Sequence, residues 1–181
     1  RRRQRRDVRG EHQPYAQECV MTDRHVLSKT LNNTPVGNHE IIVTDGNGHG
    51  STNTMIRRFT TTLVSVGTAI TYADSATDGG SFTINTAGFY SIGYADGRSA
   101  TAETIYGASL NSAQLTTSID TITAANRLFS IRLATIDTWY TDGRVFRFVA
   151  GDVVRAHTNS TPNYTTNNNA VRFAIMKVSN G

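Results

Sequence analysis

From Met55 to the end of the chain, apolar and polar residues alternate in short runs. Phe82 and Ile84, then Phe89 or Tyr90, Ile92 and Tyr94, fall on every second position, with mostly Ser, Thr or Gly between them. A period of two sends successive side chains to opposite faces of a strand, so one face is apolar and the other polar. The pattern predicts strands over 40–44, 56–66, 68–73, 81–85, 89–95, 105–110, 115–122, 128–136, 145–149, 153–158 and 171–178. Residues 81–85 and 89–95 read as a pair joined by the tight turn Thr86-Ala87-Gly88. Residues 145–149 and 153–158 read as a second pair, joined around Gly151. Strands at this spacing, with turn residues between them, predict an all-β antiparallel sandwich. Phe82, Tyr90, Phe146, Phe148 and Phe173 are the expected core aromatics, while Arg147, Arg155 and Arg172 alternate outward.

Turn chemistry punctuates the strands. Asp96-Gly97-Arg98 and Asp142-Gly143-Arg144 each follow a Tyr by two residues, and Asp-Gly suits a hairpin turn. Asp45-Gly46-Asn47-Gly48-His49-Gly50 reads as a glycine-rich loop that ends the strand over 40–44. Residues 159–169, rich in Asn and Thr and holding Pro162, read as an exposed loop. A helical turn over 22–29, capped by Thr22 or Asp23, is the one helical expectation.

Composition supports the β reading. Only 18% of the 181 residues are charged, and Thr, Ser, Asn and Gly fill the space. Thr is β-branched and suits a half-wet pleated surface. The single cysteine, Cys19, excludes an internal disulfide. No run of about 18 apolar residues is present, so no membrane span is expected. The chain begins with Arg1 and has no signal-peptide pattern, as expected of a processed or trimmed product.

The formal net charge of +4 is unevenly spread. Arg1, Arg2, Arg3, Arg5, Arg6 and Arg9 lie within the first ten residues, and the rest of the chain is slightly acidic. A block of like charge repels itself and stays extended until it meets a partner. Residues 1–54 are therefore expected to form an extended N-terminal arm, and residues 55–181 the folded domain. The arm's arginines suit an acidic protein surface, the favoured partner, or nucleic-acid phosphates.

Candidate catalytic chemistry is sparse. No nucleophile elbow, phosphate loop or paired carboxylates are recognisable, and no catalytic residue, cofactor or metal is expected. Asp45–Gly50 begins like a calcium loop, but Ile56 stands where the bidentate Glu is needed. The histidines at 12, 25, 39, 49 and 157 show no zinc spacing and read as surface or turn residues. Cys19 and His25 are close in sequence but lie in a segment with little core.

Ser81-Phe82-Thr83-Ile84 followed by Gly88-Phe89-Tyr90-Ser91-Ile92 resembles the central signature of the complement-component-q globular head. That domain belongs to the tumour-necrosis-factor-like jelly rolls. Leu110-Asn111, Ala150-Gly151-Asp152-Val153-Val154 and Phe173-Ala174-Ile175-Met176-Lys177-Val178 resemble later motifs of the same group, in the same order. The resemblance covers about residues 55–181. It implies a ten-strand jelly roll that assembles as a homotrimer and serves binding or structure, not catalysis. No Gly-X-Y stalk precedes the domain, and the Gly that follows Phe in the animal terminal strand is absent. The texture is more similar to bacteriophage virion members, which decorate heads or tip fibres.

The expectation is a non-enzymatic virion protein on the capsid or tail surface, held to a major capsid or tail protein by its arm. An alternative is a fibre-tip domain that binds a host glycan or receptor through Arg98, Asn159, Asn163, Tyr164 and Asn167. A second alternative is a capsid protein whose arm binds nucleic acid.

Overall fold

The computed structural model describes residues 37–97, 104–133, 139–159 and 170–181. The chain divides after Thr34, and Pro35–Gly181 forms one compact unit. Ten strands make up this unit: β1 (Glu40–His49), β2 (Arg57–Val66), β3 (Ile70–Ala73), β4 (Ser81–Ile84), β5 (Gly88–Gly97), β6 (Thr104–Leu110), β7 (Arg127–Leu133), β8 (Trp139–Phe148), β9 (Val153–Thr158) and β10 (Arg172–Ser179). The single 3-10 turn among the described residues is Ala124–Asn126. The strands form two antiparallel five-stranded sheets, ordered β2-β1-β10-β5-β8 and β3-β4-β9-β6-β7. This is an antiparallel jelly-roll sandwich.

The period of two is realised along β5, where Tyr90, Ile92 and Tyr94 are buried between exposed or half-buried neighbours. Phe82, Tyr90, Phe148 and Phe173 occupy the core, and Phe146 is partly buried against it. Phe82 of β4 stacks on Phe173 of β10 at 4.6 Å, and Tyr94 of β5 meets Tyr106 of β6 edge-on at 4.9 Å. Both contacts join the two sheets. Each buried aromatic contributes a large apolar area, so these rings dominate the attraction between the layers.

Both expected tight pairs are instead crossings between sheets. β4 pairs with β3 and β9, whereas β5 pairs with β10 and β8. Likewise β8 and β9 lie in different sheets. A strand that follows a corner buries its apolar face against the opposite layer, and here that outweighs local pairing. The second corner is built from side chains: Asn111 Nδ2 donates to Asp152 Oδ1 at 2.7 Å, and Asn111 Oδ1 accepts from the Val153 amide at 2.8 Å. Asp152 Oδ2 also accepts from the Val149 amide at 2.8 Å. Gly151 takes φ 94°, a value that favours glycine.

Further expectations are corrected. The folded body begins before residue 55, because β1 lies between β2 and β10 and carries the buried Ile41 and Val43. Asp45–His49 continues β1 as bulged strand and is not a loop that ends it. Asp142-Gly143-Arg144 sits within β8, opposite Tyr94-Gly93-Ile92, so it is not a turn. Asp96-Gly97 ends β5 and still pairs with Tyr140 and Trp139. Residues 115–122 are not a strand. Thr121 Oγ1 and the Thr121 amide both donate to Ser118 O, and the Ser118 hydroxyl donates to Asp120. Such local bonds compete with a ladder. The apolar residues of this segment, Ile119 and Ile122, bury instead as a small cluster with Ile105.

Candidate functional site

The outer face of the first sheet is the most informative surface. Its pairing aligns Val64, Ile42, Ala174, Gly93 and Gly143 across five strands. The next outward row is Val66, Glu40, Met176, Ser91 and Val145. Ile42, Gly93, Ala95, Arg172 and Ala174 line a shallow depression of about 310 Å³. Its floor lacks long side chains because glycine and alanine meet there from two neighbouring strands. Met176, Val145, Val178 and Phe89 stand exposed around it, at 41%, 59%, 39% and 38% of their surface. A contiguous apolar face of this kind marks a contact surface more often than an inert one. Glu40 lies on it, with Arg172 and Arg147, so charges of both signs rim the apolar centre.

A second constellation lies inside the sandwich. Arg57, at the start of β2, is fully buried. Its Nε lies 3.3 Å from Asp96 Oδ2, and its Nη2 donates to Asp96 Oδ1 at 3.3 Å. Asp96 also accepts from the Tyr94 hydroxyl at 2.9 Å and from the Gly97 amide at 2.8 Å. Burial pushes the Asp96 carboxyl up, against the pull of Arg57 and the two hydrogen bonds. Burial also raises the Tyr94 hydroxyl well above its ordinary value. Among the described residues Arg57 thus has one anionic partner, in a place where an unpaired charge is costly.

His49 and His157 neighbour this pair. Neither is the surface or turn residue the sequence suggests: His157 is fully buried, and His49 is partly buried at the end of β1. Burial first, then Arg57 and His157, hold His49 down to about 3. Burial is also the main cause that lowers His157. His157 shares the outward phase of Val153 and Arg155, and its burial comes from the segment that lies over that face and meets it through Thr117 O, so the alternation carries no signal of it.

The expected site residues fare differently. Asn159 is described: its Oδ1 accepts from the Ile105 amide at 3.0 Å, which ties the end of β9 to the start of β6. Arg98, Asn163, Tyr164 and Asn167 lie outside the described residues, as do Arg1, Arg2, Arg3, Arg5, Arg6 and Arg9, Cys19 and the helical turn over 22–29. Among the outward arginines, Arg147 and Arg172 are exposed and Arg155 is half-buried. Among the described residues no three His, Cys, Asp or Glu side chains converge as metal ligands, and no helix is long and apolar enough to cross a membrane.

No protein-family model matches the sequence, and no curated protein is significantly similar to it. Solved structures do match. The chain is similar to murine APRIL crystallised at pH 8.0, with TM-score 0.56 and 9% identity. It is also similar to the same protein at pH 8.5, with TM-score 0.55 and 11% identity, and at pH 5.0, with TM-score 0.52 and 9% identity. Each match covers 78% of this chain and 99% of the other. At such identity the likeness is one of fold, a tumour-necrosis-factor-like jelly roll.

Proposed function

We propose that this chain is a non-enzymatic structural component of a virus particle. Its jelly roll associates with two further copies through the outer face of the β2-β1-β10-β5-β8 sheet. The arginine-rich arm holds the trimer to a major capsid or tail protein. The observation that carries self-association is the glycine- and alanine-floored apolar face around Ala174. A flat face with small residues at its centre lets a second backbone approach closely, and burying its exposed valine and methionine side chains is favourable. The particle and the arm's role rest on the sequence resemblance and on the concentration of charge at the N-terminus. Three linked arms would raise effective concentration at a repeating lattice without any new contact.

Light scattering tests the assembly. The expected mass is about three times the 19.7 kDa chain. A stable monomer at micromolar concentration would overturn it. Ala174→Arg places a charge at the centre of the face and is expected to yield monomers with an unchanged circular dichroism spectrum. Deletion of residues 1–13 is expected to release the protein from particles, and unchanged occupancy would remove the tether from the reading.

A receptor- or glycan-binding tip is the second reading. One feature favours it: β5, which ends at Gly97, and β9, which ends at Thr158, finish at the same end of the sandwich. The connections that hold Arg98 and Asn163 both leave from there. Shortening those connections would abolish host adsorption under this reading and leave particle stability intact. Binding of the arm to nucleic acid would instead show as salt-dependent retention on DNA, lost when the six arginines become alanine.

A further inference from the structure

His49 closes β1, His157 lies near the end of β9, and Ile56 bridges to His157. His157 Nε2 is 2.7 Å from Thr117 O. A carbonyl only accepts, so His157 donates through Nε2 and its Nδ1 carries a bare lone pair. His49 Nε2 is 2.7 Å from Thr158 Oγ1, and that hydroxyl donates to Met55 O at 3.3 Å. With the Thr158 proton directed at Met55 O, His49 too donates through Nε2. Both Nδ1 atoms are buried and have no hydrogen-bond partner among the described residues.

The charged groups around the two rings are mostly cationic. Arg57 of β2 faces His49, and Arg155 of β9 faces His157. Asp96 of β5 is already engaged by Arg57, Tyr94 and Gly97. Asp78, from the segment between β3 and β4, faces Arg155. The segment over 111–126 offers the Thr117 carbonyl, which is occupied by His157. A proton added at either Nδ1 would put a further cation beside Arg57 and create a buried N–H with no acceptor.

We infer that His49, His157 and Arg57 form an acid-sensitive latch that keeps one end of the sandwich closed at neutral pH and lets it open in mild acid. What opens is the pair of segments around Met55 and over 115–122, which lie outside the strands and are tied to each other and to the end of β9 by single bonds. Ile119 N donates to Thr158 O at 3.1 Å, Thr158 N to Met55 O at 2.9 Å, and Met55 N to Leu115 O at 3.2 Å. Stretches of backbone held by single bonds separate at lower cost than the sheets do.

The sign follows from linkage. The closed state excludes the protons, whereas a ring released to water titrates at its ordinary 6.5. The opening equilibrium therefore rises as pH falls below 6.5, by up to about tenfold per pH unit for each histidine. For His49 the rise ends at about 3.

Amide hydrogen exchange at Ile119 and Thr158, corrected for intrinsic exchange, reads this opening. Between about pH 7.5 and 5.5 protection is expected to fall about tenfold on account of His49, and further on account of His157. In the double variant His49→Gln/His157→Gln, which keeps an N–H donor on each side chain, most of that dependence should vanish. Asp96 remains in the variant, so any residual slope is its share. Constant protection in the unaltered chain, or the same slope in the double variant, overturns the inference. If the variant does not fold, the ring signals of the unaltered chain decide. A His49 ring that holds the neutral form down to about pH 5.5, with His157 titrating below 6.5, supports the latch. Imidazolium in the folded chain near 6.5 overturns it.

Discussion

Arg57 is fully buried, and among the described residues a single carboxylate answers its charge. Removing that carboxylate leaves a buried cation without a counter-ion. Asp96→Ala is expected to cost about 3–5 kcal/mol in a urea titration. Pairing it with Arg57→Met should recover much of the loss, because the stranded charge is then gone too. If the double variant is as unstable as the single, the ion pair does more than neutralise itself. Neighbouring glycines act by absence. A Cβ at Gly107 would stand 2.0 Å from Phe129 O, so Gly107 is what allows β6 and β7 to approach. The two histidines add to this scale a dependence on pH that neither shows as a sequence symbol.

At the scale of elements, the two Asp-Gly pairs show how position overrides chemistry. Gly143 lies within β8, with ordinary strand geometry, and a Cβ there would meet only Ile92 O at 3.8 Å. Glycine inside a strand is destabilising, so Gly143→Thr is expected to raise stability by about 0.5–1 kcal/mol. The measurement is best made on the chain carrying Ala174→Arg, so that self-association does not contribute. A loss of stability would mean that the residue needs glycine as a turn does. Conversely, Asn111 and Asp152 were separate motifs in the sequence and are hydrogen-bonded partners in space, locking the β8–β9 corner to the end of β6. Corners of this kind decide which layer each strand joins, and so they outrank the strands' local alternation.

For the whole molecule, every described strand falls in Pro35–Gly181, and among the described residues the core begins at Ile41. Deleting residues 1–34 is expected to leave the thermal unfolding midpoint of the remaining body unchanged, as read by circular dichroism. A fall of more than about 4–8 °C, the size of a 1 kcal/mol effect in a small domain, would mean that the first segment braces the body. The outer face around Ala174 belongs to this scale too, since it is assembled from five strands that lie far apart in the chain. The proposed self-association there and the proposed tethering by the arm are separable: Ala174→Arg addresses the first, and loss of residues 1–13 the second.

Alternation at Phe82–Ile84 and Tyr90–Tyr94 was enough to fix strands, their inward faces and the core aromatics, because side-chain direction in a strand is a local property. The uneven placement of arginine was equally plain, and so was the lack of recognisable catalytic spacing. Pairing was not legible. Whether β4 joins β5 or β9 depends on burial against a layer supplied by residues far away, and no window of sequence contains that energy. The same holds for the apolar face around Gly93 and Ala174, and for His49, Arg57, Asp96 and His157. Polar groups are tolerated inside only when distant partners meet them, and the tertiary fold alone brings those partners together.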